Sequence, residues 1–385
     1  MWRLGILLAV ASCGRLGFTD LSAEVTPDAS GPSSDAAPSP LLLACGAPQR
    51  FAFDTDQNGV GVAVHASGID VFDADSGGVL TGYSFELGSD GSLHELESGV
   101  VLGTNNASGE VGGAAIGDQV VLASTTNAMP AGTTVFTLDD GLATVAAPMT
   151  DTSDASSEAP IASNGSVMML AQMDAGSDAI VRLVSPSSGE ASATTVVGAS
   201  SVAPYYENAM ATASGFALGY GTAIPSSRTQ LALLDASLNI TTGPFTLDAG
   251  LDMYAPWFAY SATLDKFLVT WHQKDVTSDD DTWAMIVDST LNIVVQPFEV
   301  APFSTNVVAA ADADGFWLAY HTYTPASIIA ASHVAVDGTV TARPVTSSGG
   351  TPVNWNVVER DGQAILVWTE TGGSGPNLYL DPLCN

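Results

Sequence analysis

The sequence predicts an all-β protein, a seven-bladed β-propeller, with six or eight blades as the alternative counts. Three observations predict it. Short runs of Val, Ile, Thr and aromatic residues are broken by Gly, Asp, Asn and Ser, which is the composition of strands and tight turns. No window sustains the periodicity of an amphipathic helix. One element recurs along most of the chain, the mark of a repeat architecture.

The recurring element is a turn residue followed by four or five apolar residues that end near an aromatic. It reads Ser214-Gly215-Phe216-Ala217-Leu218-Gly219-Tyr220, then Asp265-Lys266-Phe267-Leu268-Val269-Thr270-Trp271. It returns as Asp314-Gly315-Phe316-Trp317-Leu318-Ala319-Tyr320 and as Asp361-Gly362-Gln363-Ala364-Ile365-Leu366-Val367-Trp368. Weaker copies begin at Asn58-Gly59, Gly117-Asp118 and Asn164-Gly165. Counted on the second residue of each, the steps are 59, 47, 50, 51, 49 and 47 residues. Gly215 and Gly315 share a turn position at which a positive φ is expected.

A second element follows each copy: an apolar run, an Asp- or Gly-bearing turn and another run, as in Leu231 to Leu247 and Trp283 to Val300. A further run precedes each copy, as in Val307 to Ala311 and Asn354 to Glu359. Each unit therefore supplies about four antiparallel strands. In a propeller each such sheet buries its face on the next, and closing the ring leaves only short edges. The seventh copy stops after its third strand, Asn377 to Leu383. The apolar run Leu41 to Ala44 has no other place in the scheme and is expected to pair there as the outer strand of the last blade. The same arrangement would bring Cys45 and Cys384, one at each end of the folded domain, into bonding range as a disulfide.

The N-terminus reads as an export signal over residues 1–12. Arg3 is followed by the apolar stretch Leu4 to Val10 and by small residues, a run too short to span a membrane. Val10-Ala11-Ser12-Cys13 resembles the bacterial lipobox. The resemblance implies cleavage before Cys13 and a diacylglycerol on its thiol, hence export and anchoring at a membrane, in the outer membrane or at the cell surface. Residues 13–40 are rich in Ser, Pro, Asp and Ala and carry the composition of a disordered tether. Residues 41–385 then form a single propeller domain closed by its N- and C-terminal strands. The repeat style is similar to the propeller repeats of exported bacterial lipoproteins, which implies an architecture and little about activity; there is no Trp-Asp dipeptide closing each blade.

Acidic residues outnumber basic ones 41 to 9, for a formal net charge of −32. Such a surface repels phosphate backbones, which excludes nucleic acid as a partner class. Nucleophilic hydrolysis has no support, because no Gly-x-Ser-x-Gly elbow is present and the disulfide leaves no free thiol. Ser278-Asp279-Asp280-Asp281-Thr282-Trp283 is similar to the Asp box of sialidase-type propellers but lacks its spacing and its Gly. With so many carboxylates, any pair chosen for glycoside chemistry is uninformative.

The remaining candidates are binding groups. Asp54, Asp56 and Asn58 supply alternating oxygen ligands before Gly59, like the start of a calcium loop, although His65 stands where such a loop would place its bidentate Glu. Ca2+ is the one cofactor the sequence admits. His65, His272 and His321 share a repeat position at the end of a second strand, with Lys274, Asp275, Tyr323 and Glu370 in the same loop layer. Trp271 and Trp368, with Tyr220 and Tyr320, occupy a position expected to pack between blades. Trp257 and Trp355 precede the second strands and either pack in the core or face the central channel, where an aromatic face suits a sugar or an apolar ligand. These features point to a non-enzymatic binding module with a protein, glycan or cation ligand. The rival is an extracellular polysaccharide hydrolase or lyase that uses channel-facing carboxylates.

Overall fold

The computed structural model describes residues 43–384 apart from 46, 53–56, 76, 105, 127–131, 152–158, 175–177, 199–203, 223–227, 248–253, 275–279, 324–327, 344, 346–349 and 372–376. The signal, Cys13, the tether, Asp54, Asp56 and Asp275 lie outside the described residues, as does the side chain of Lys274. No helix among the described residues is long and apolar enough to cross a membrane.

A short strand, β1 (Gln49–Ala52), precedes the first blade. Blade 1 holds β2 (Gln57–Val64), β3 (Gly68–Asp75), β4 (Leu80–Leu87) and β5 (Leu93–Gly103). Blade 2 holds β6 (Asn106–Ile116), β7 (Gln119–Thr126), β8 (Gly132–Asp139) and β9 (Thr144–Asp151). Blade 3 holds β10 (Ile161–Ser163), β11 (Met168–Met173), β12 (Ala179–Val184) and β13 (Thr195–Gly198). Blade 4 holds β14 (Pro204–Thr212), β15 (Gly215–Thr222), β16 (Arg228–Asp235) and β17 (Ile240–Leu247). Blade 5 holds β18 (Tyr254–Ser261), β19 (Lys266–Lys274), β20 (Asp280–Asp288) and β21 (Ile293–Ala301). Blade 6 holds β22 (Ser304–Ala311), β23 (Gly315–Thr322), β24 (Ile328–Ala335) and β25 (Val340–Arg343). Blade 7 holds β26 (Thr351–Arg360), β27 (Gln363–Thr371) and β28 (Asn377–Leu383), with β1 paired against β28 as its outer strand.

Each blade is a four-stranded antiparallel sheet, and there are seven of them. The inner strands β2, β6, β10, β14, β18, β22 and β26 pack in that order, and β26 returns to β2 to close the ring. Seven apolar clusters fill the seven blade interfaces. The second strands show how. In β23, Phe316, Leu318 and Tyr320 pack toward blade 5, while Trp317 and Ala319 pack toward blade 7. Side chains alternate faces along a strand, so a strand buried on both faces must be apolar at every position. That is why the recurring element is a continuous apolar run and not an alternating one.

Two expectations need correction. The first copy of the repeat begins at Gly68, not at Asn58-Gly59. Asn58 lies in β2, the inner strand of blade 1, and not in a turn. With Gly68 as the start, the second strands begin at intervals of 51, 49, 47, 51, 49 and 48 residues and the outlying first step disappears. The outer strand of blade 7 is Gln49–Ala52, in register with Leu380 to Asn377, and not Leu41 to Ala44. Leu43 is buried in the cluster between blades 1 and 7, where its backbone N–H donates to Gln363 Oε1 at 2.8 Å and its carbonyl accepts from Gln363 Nε2 at 3.0 Å. Leu43 thus plugs an interface. The disulfide is present as expected, with Cys45 and Cys384 Cα atoms 6.1 Å apart.

Gly215 has the expected positive φ, at 156°, whereas Gly315 does not. Space requires glycine at both. A Cβ would stand 2.3 Å from the Leu234 carbonyl oxygen at Gly215 and 2.5 Å from the Val334 carbonyl oxygen at Gly315. These neighbours are backbone of the third strand and cannot swing aside. Gly215→Val and Gly315→Val are each expected to destabilise the domain by about 1–3 kcal/mol, the usual cost of overpacking. Thermal melting of both variants checks this, and parental melting in both would refute the steric account.

Candidate functional site: the channel mouth

The seven inner strands enclose a central cavity of about 530 Å³. Its wall is made largely of small residues, such as Gly112, Gly113 and Ala309 to Ala311, which keep the channel open by not filling it. We call top the face where inner strands begin and second strands end, and bottom the face of the turns between them.

Trp257 on β18 and Trp355 on β26 line this cavity from blades 5 and 7. Both are partly buried, and both are tied to β22, the inner strand between them. Trp257 Nε1 donates to the Ala309 carbonyl at 3.2 Å and Trp355 Nε1 to the Asn306 carbonyl at 3.0 Å. Pinning each indole by its only polar atom fixes the direction in which its apolar face points. A row of rings continues outward from Trp355. The His321 ring lies 5.8 Å from it, and Tyr323 meets His321 edge-on at 4.9 Å. Tyr323 is 53% exposed, so the row runs from the channel wall to solvent. Burial pushes the His321 pKa below its ordinary value, which keeps the ring neutral at physiological pH. Asn208 also lines the cavity. It is buried, and its Oδ1 has no hydrogen-bond partner among the described residues.

His272 shares the top face but is closed off. It is buried, with Nδ1 3.3 Å from Thr305 Oγ1, and Thr305 pairs across the strand with His321. Glu370 is also at the top end of its strand, yet it is buried within blade 7 and accepts a hydrogen bond from Trp368 Nε1 at 3.1 Å. His65 does not share the position of His272 and His321. It follows the inner strand β2 and lies at the bottom, because the copy of the repeat in blade 1 starts nine residues later than its Asn-Gly suggests. There His65 Nε2 sits 3.4 Å from Asp70 Oδ1, and Arg360 Nη2 donates to the Ala66 carbonyl at 2.7 Å. The expected packing aromatics Tyr220, Trp271, Tyr320 and Trp368 are all buried between blades.

Sequence reasoning passed over Glu359. Among the described residues it is the one carboxylate lining the central cavity, and it stands at the bottom end of β26. Burial raises its pKa, the neighbouring Asp361 charge adds to the effect, and a hydrogen bond from the Gly362 N–H opposes both. Trp355 and Glu359 are four residues apart on one strand, which separates them by about 13 Å. Aromatic mouth and lone carboxyl are thus at opposite ends of the channel.

No family model matches this chain, and no curated protein sequence matches it. Among solved structures it is similar to the polysaccharide lyase Uly1, with a TM-score of 0.55 and 11% identity over 89% of this chain and 92% of that one. It is similar also to a chain of a mitotic checkpoint complex, with a TM-score of 0.53 and 13% identity over 96% of this chain and all of that one. At such identities the likeness extends to the fold, and the chain is a seven-bladed β-propeller.

Proposed function

We propose that this protein is a non-enzymatic binding module, exported and held at a membrane through a lipid on Cys13, which takes a glycan across the ring row at the top of its channel. The observation that carries this reading is the Trp355–His321–Tyr323 row, pinned at Trp355 and open at Tyr323. A pyranose presents an apolar face of C–H groups, which a fixed aromatic face matches without demanding a charge on the ligand. A neutral His321 keeps the row uncharged, in keeping with a neutral ligand. Asn208 and Asn354, which also line the cavity, add polar groups to a mostly apolar wall, the usual make-up of a small-ligand site. A calcium ion held by Asp54, Asp56 and Asn58 belongs to the same proposal as an accessory ligand.

The polysaccharide hydrolase or lyase reading has less support. A hydrolase requires a second carboxyl converging on the first, and Glu359 is the one carboxylate among the described residues of the cavity wall; a lyase requires a channel-facing base beside a group that neutralises the sugar's carboxylate. Incubating the full-length protein with a panel of neutral and uronic-acid-bearing oligosaccharides tests both readings at once. At least one member is expected to bind, and Trp355→Ala is expected to weaken it by about 10-fold or more, as loss of a central aromatic anchor does. If no member binds, or if Trp355→Ala binds as the parent does, the glycan reading is wrong. Chain cleavage during incubation would instead establish the enzyme. The intact mass of the mature N-terminus decides the anchor: an acylated Cys13 is expected, and an unmodified terminus in the soluble fraction would remove it.

A further inference from the structure

We propose that blade 6 carries a divalent transition-metal site, of the kind that takes Zn2+, formed by Asp312, Asp314 and His333. The two aspartates offer one carboxylate oxygen each and His333 one imidazole nitrogen, all within 4.8 Å of one another. Asp312 and Asp314 come from the bottom turn between β22 and β23. His333 comes from β24, twenty-one positions along the chain from Asp312. Cross-strand register brings them together, because His333 pairs with Trp317 two residues beyond that turn.

Two of the three ligand-to-ligand distances fit a coordination shell. His333 Nε2 lies 3.3 Å from Asp312 Oδ2 and 3.3 Å from Asp314 Oδ1. A hydrogen-bonded ion pair would draw nitrogen and oxygen to about 2.7–2.9 Å. Ligands held about 2.0–2.2 Å from a tetrahedral Zn2+ stand roughly 3.3–3.5 Å apart. Nε2 therefore faces two oxygens at the edge length of such a tetrahedron. The Trp317 ring packs 5.1 Å from the imidazole and fixes its plane. At Gly315 a Cβ would reach within 2.7 Å of Nε2, so the glycine keeps the space around that nitrogen clear. His333 is buried and Asp314 is exposed, which gives a dry inner ligand and an outer one that a cation can reach from solvent.

The other blades provide an internal control. At the position of His333, paired with the third residue of the second strand, blade 2 has Thr137, blade 4 has Leu233 and blade 5 has Ile286. A blade packs well there without an imidazole. An imidazole nitrogen also argues for the kind of ion, since Ca2+ takes oxygen ligands almost alone whereas imidazole suits Zn2+, Cu2+ and Ni2+. Three protein ligands leave a fourth position for water or for a donor group from a bound molecule. The site is independent of the ring row at the channel mouth, which lies on the opposite face.

Metal-stripped full-length protein titrated with Zn2+ alone tests this. One ion per chain is expected to bind more tightly than the diffuse binding of the acidic surface, and Co2+ in its place should show the visible absorption of a four-coordinate ion. His333→Gln and Asp314→Ala should each weaken that one binding event by at least about 10-fold, while the exposed His94→Gln leaves it unchanged. Asp314 is exposed at a turn, so its variant decides the matter even if His333→Gln does not fold. Equal affinity in the parent and Asp314→Ala, or no stoichiometric binding in the parent, would show that the three side chains form only an ion pair.

Discussion

Breaking the Cys45–Cys384 bond is expected to lower the stability of the propeller by about 4–5 kcal/mol, the upper part of the range for a disulfide. The bond joins residues 339 positions apart, so in the unfolded chain it closes nearly the whole domain into one loop. The entropy lost by that unfolded ensemble grows with the logarithm of loop length, and here the loop is about as long as it can be. In the folded ring the bond spans the closure, where blade 7 takes its outer strand from the N-terminus. That strand is only four residues long. It is held by its pairing to β28, by Phe51 packed against Phe85 at 4.5 Å, and by Arg50 Nε donating to Asn377 Oδ1 at 2.9 Å. For a domain of this size the loss corresponds to a melting temperature lower by roughly 5–10 °C. Calorimetry of the parent with and without reductant, and of a Cys45→Ser/Cys384→Ser double variant, measures it. Melting that is indifferent to reductant would show that β1 and Leu43 hold the closure unaided.

The parts of this fold that were legible in the sequence were those whose signal is local. The second strands of blades 4 to 7 are buried on both faces, so each is a continuous apolar run with a turn residue before it. Blade 1 was misread because its β3, Gly68–Asp75, carries Asp70 and Asp73 among its apolar residues, both of them buried. The neighbouring Asn58-Gly59 offered a turn signal that the chain uses inside β2. That shift of register also placed His65 on the wrong face of the ring. Trp257 and Trp355 were recognisable because they stand apart from the packing position, yet nothing in the sequence showed that both indoles are tied to β22. Asp312, Asp314 and His333 were illegible as a group, since only the pairing of β23 with β24 brings the turn and the imidazole together. Composition announced a cation-attracting surface and could not say which three of its many carboxylates and few imidazoles meet.

Trp368→Ala is expected to cost about 3–5 kcal/mol, the range for deleting a buried aromatic from a core. Trp368 has no exposed surface and sits in the cluster between blades 6 and 7, with Trp317, Leu366 and Tyr379. Its ring stacks on Tyr379 of β28 at 4.8 Å with an interplanar angle of 12°. Blade 7 completes the ring, so a cavity opened here weakens the interface on one side of the blade that β1 and the disulfide secure on the other. The indole also donates to Glu370, itself buried. Trp368→Phe keeps most of the ring and removes that donor, and its expected cost is about 1–3 kcal/mol from the altered hydrogen bonding of the buried carboxyl. Chemical denaturation of the two variants separates the contributions of volume and hydrogen bonding. The pair also tests the division of the aromatic residues made above. Trp368 pairs with Trp355 across β26 and β27 and both rings pack on the cluster between blades 6 and 7, but of the two only Trp355 also lines the channel. Trp368→Ala should therefore unfold at lower denaturant while its folded fraction retains the parent's ligand affinity. A variant as stable as the parent but deficient in binding would mean that Trp368 belongs to the site and not to the core.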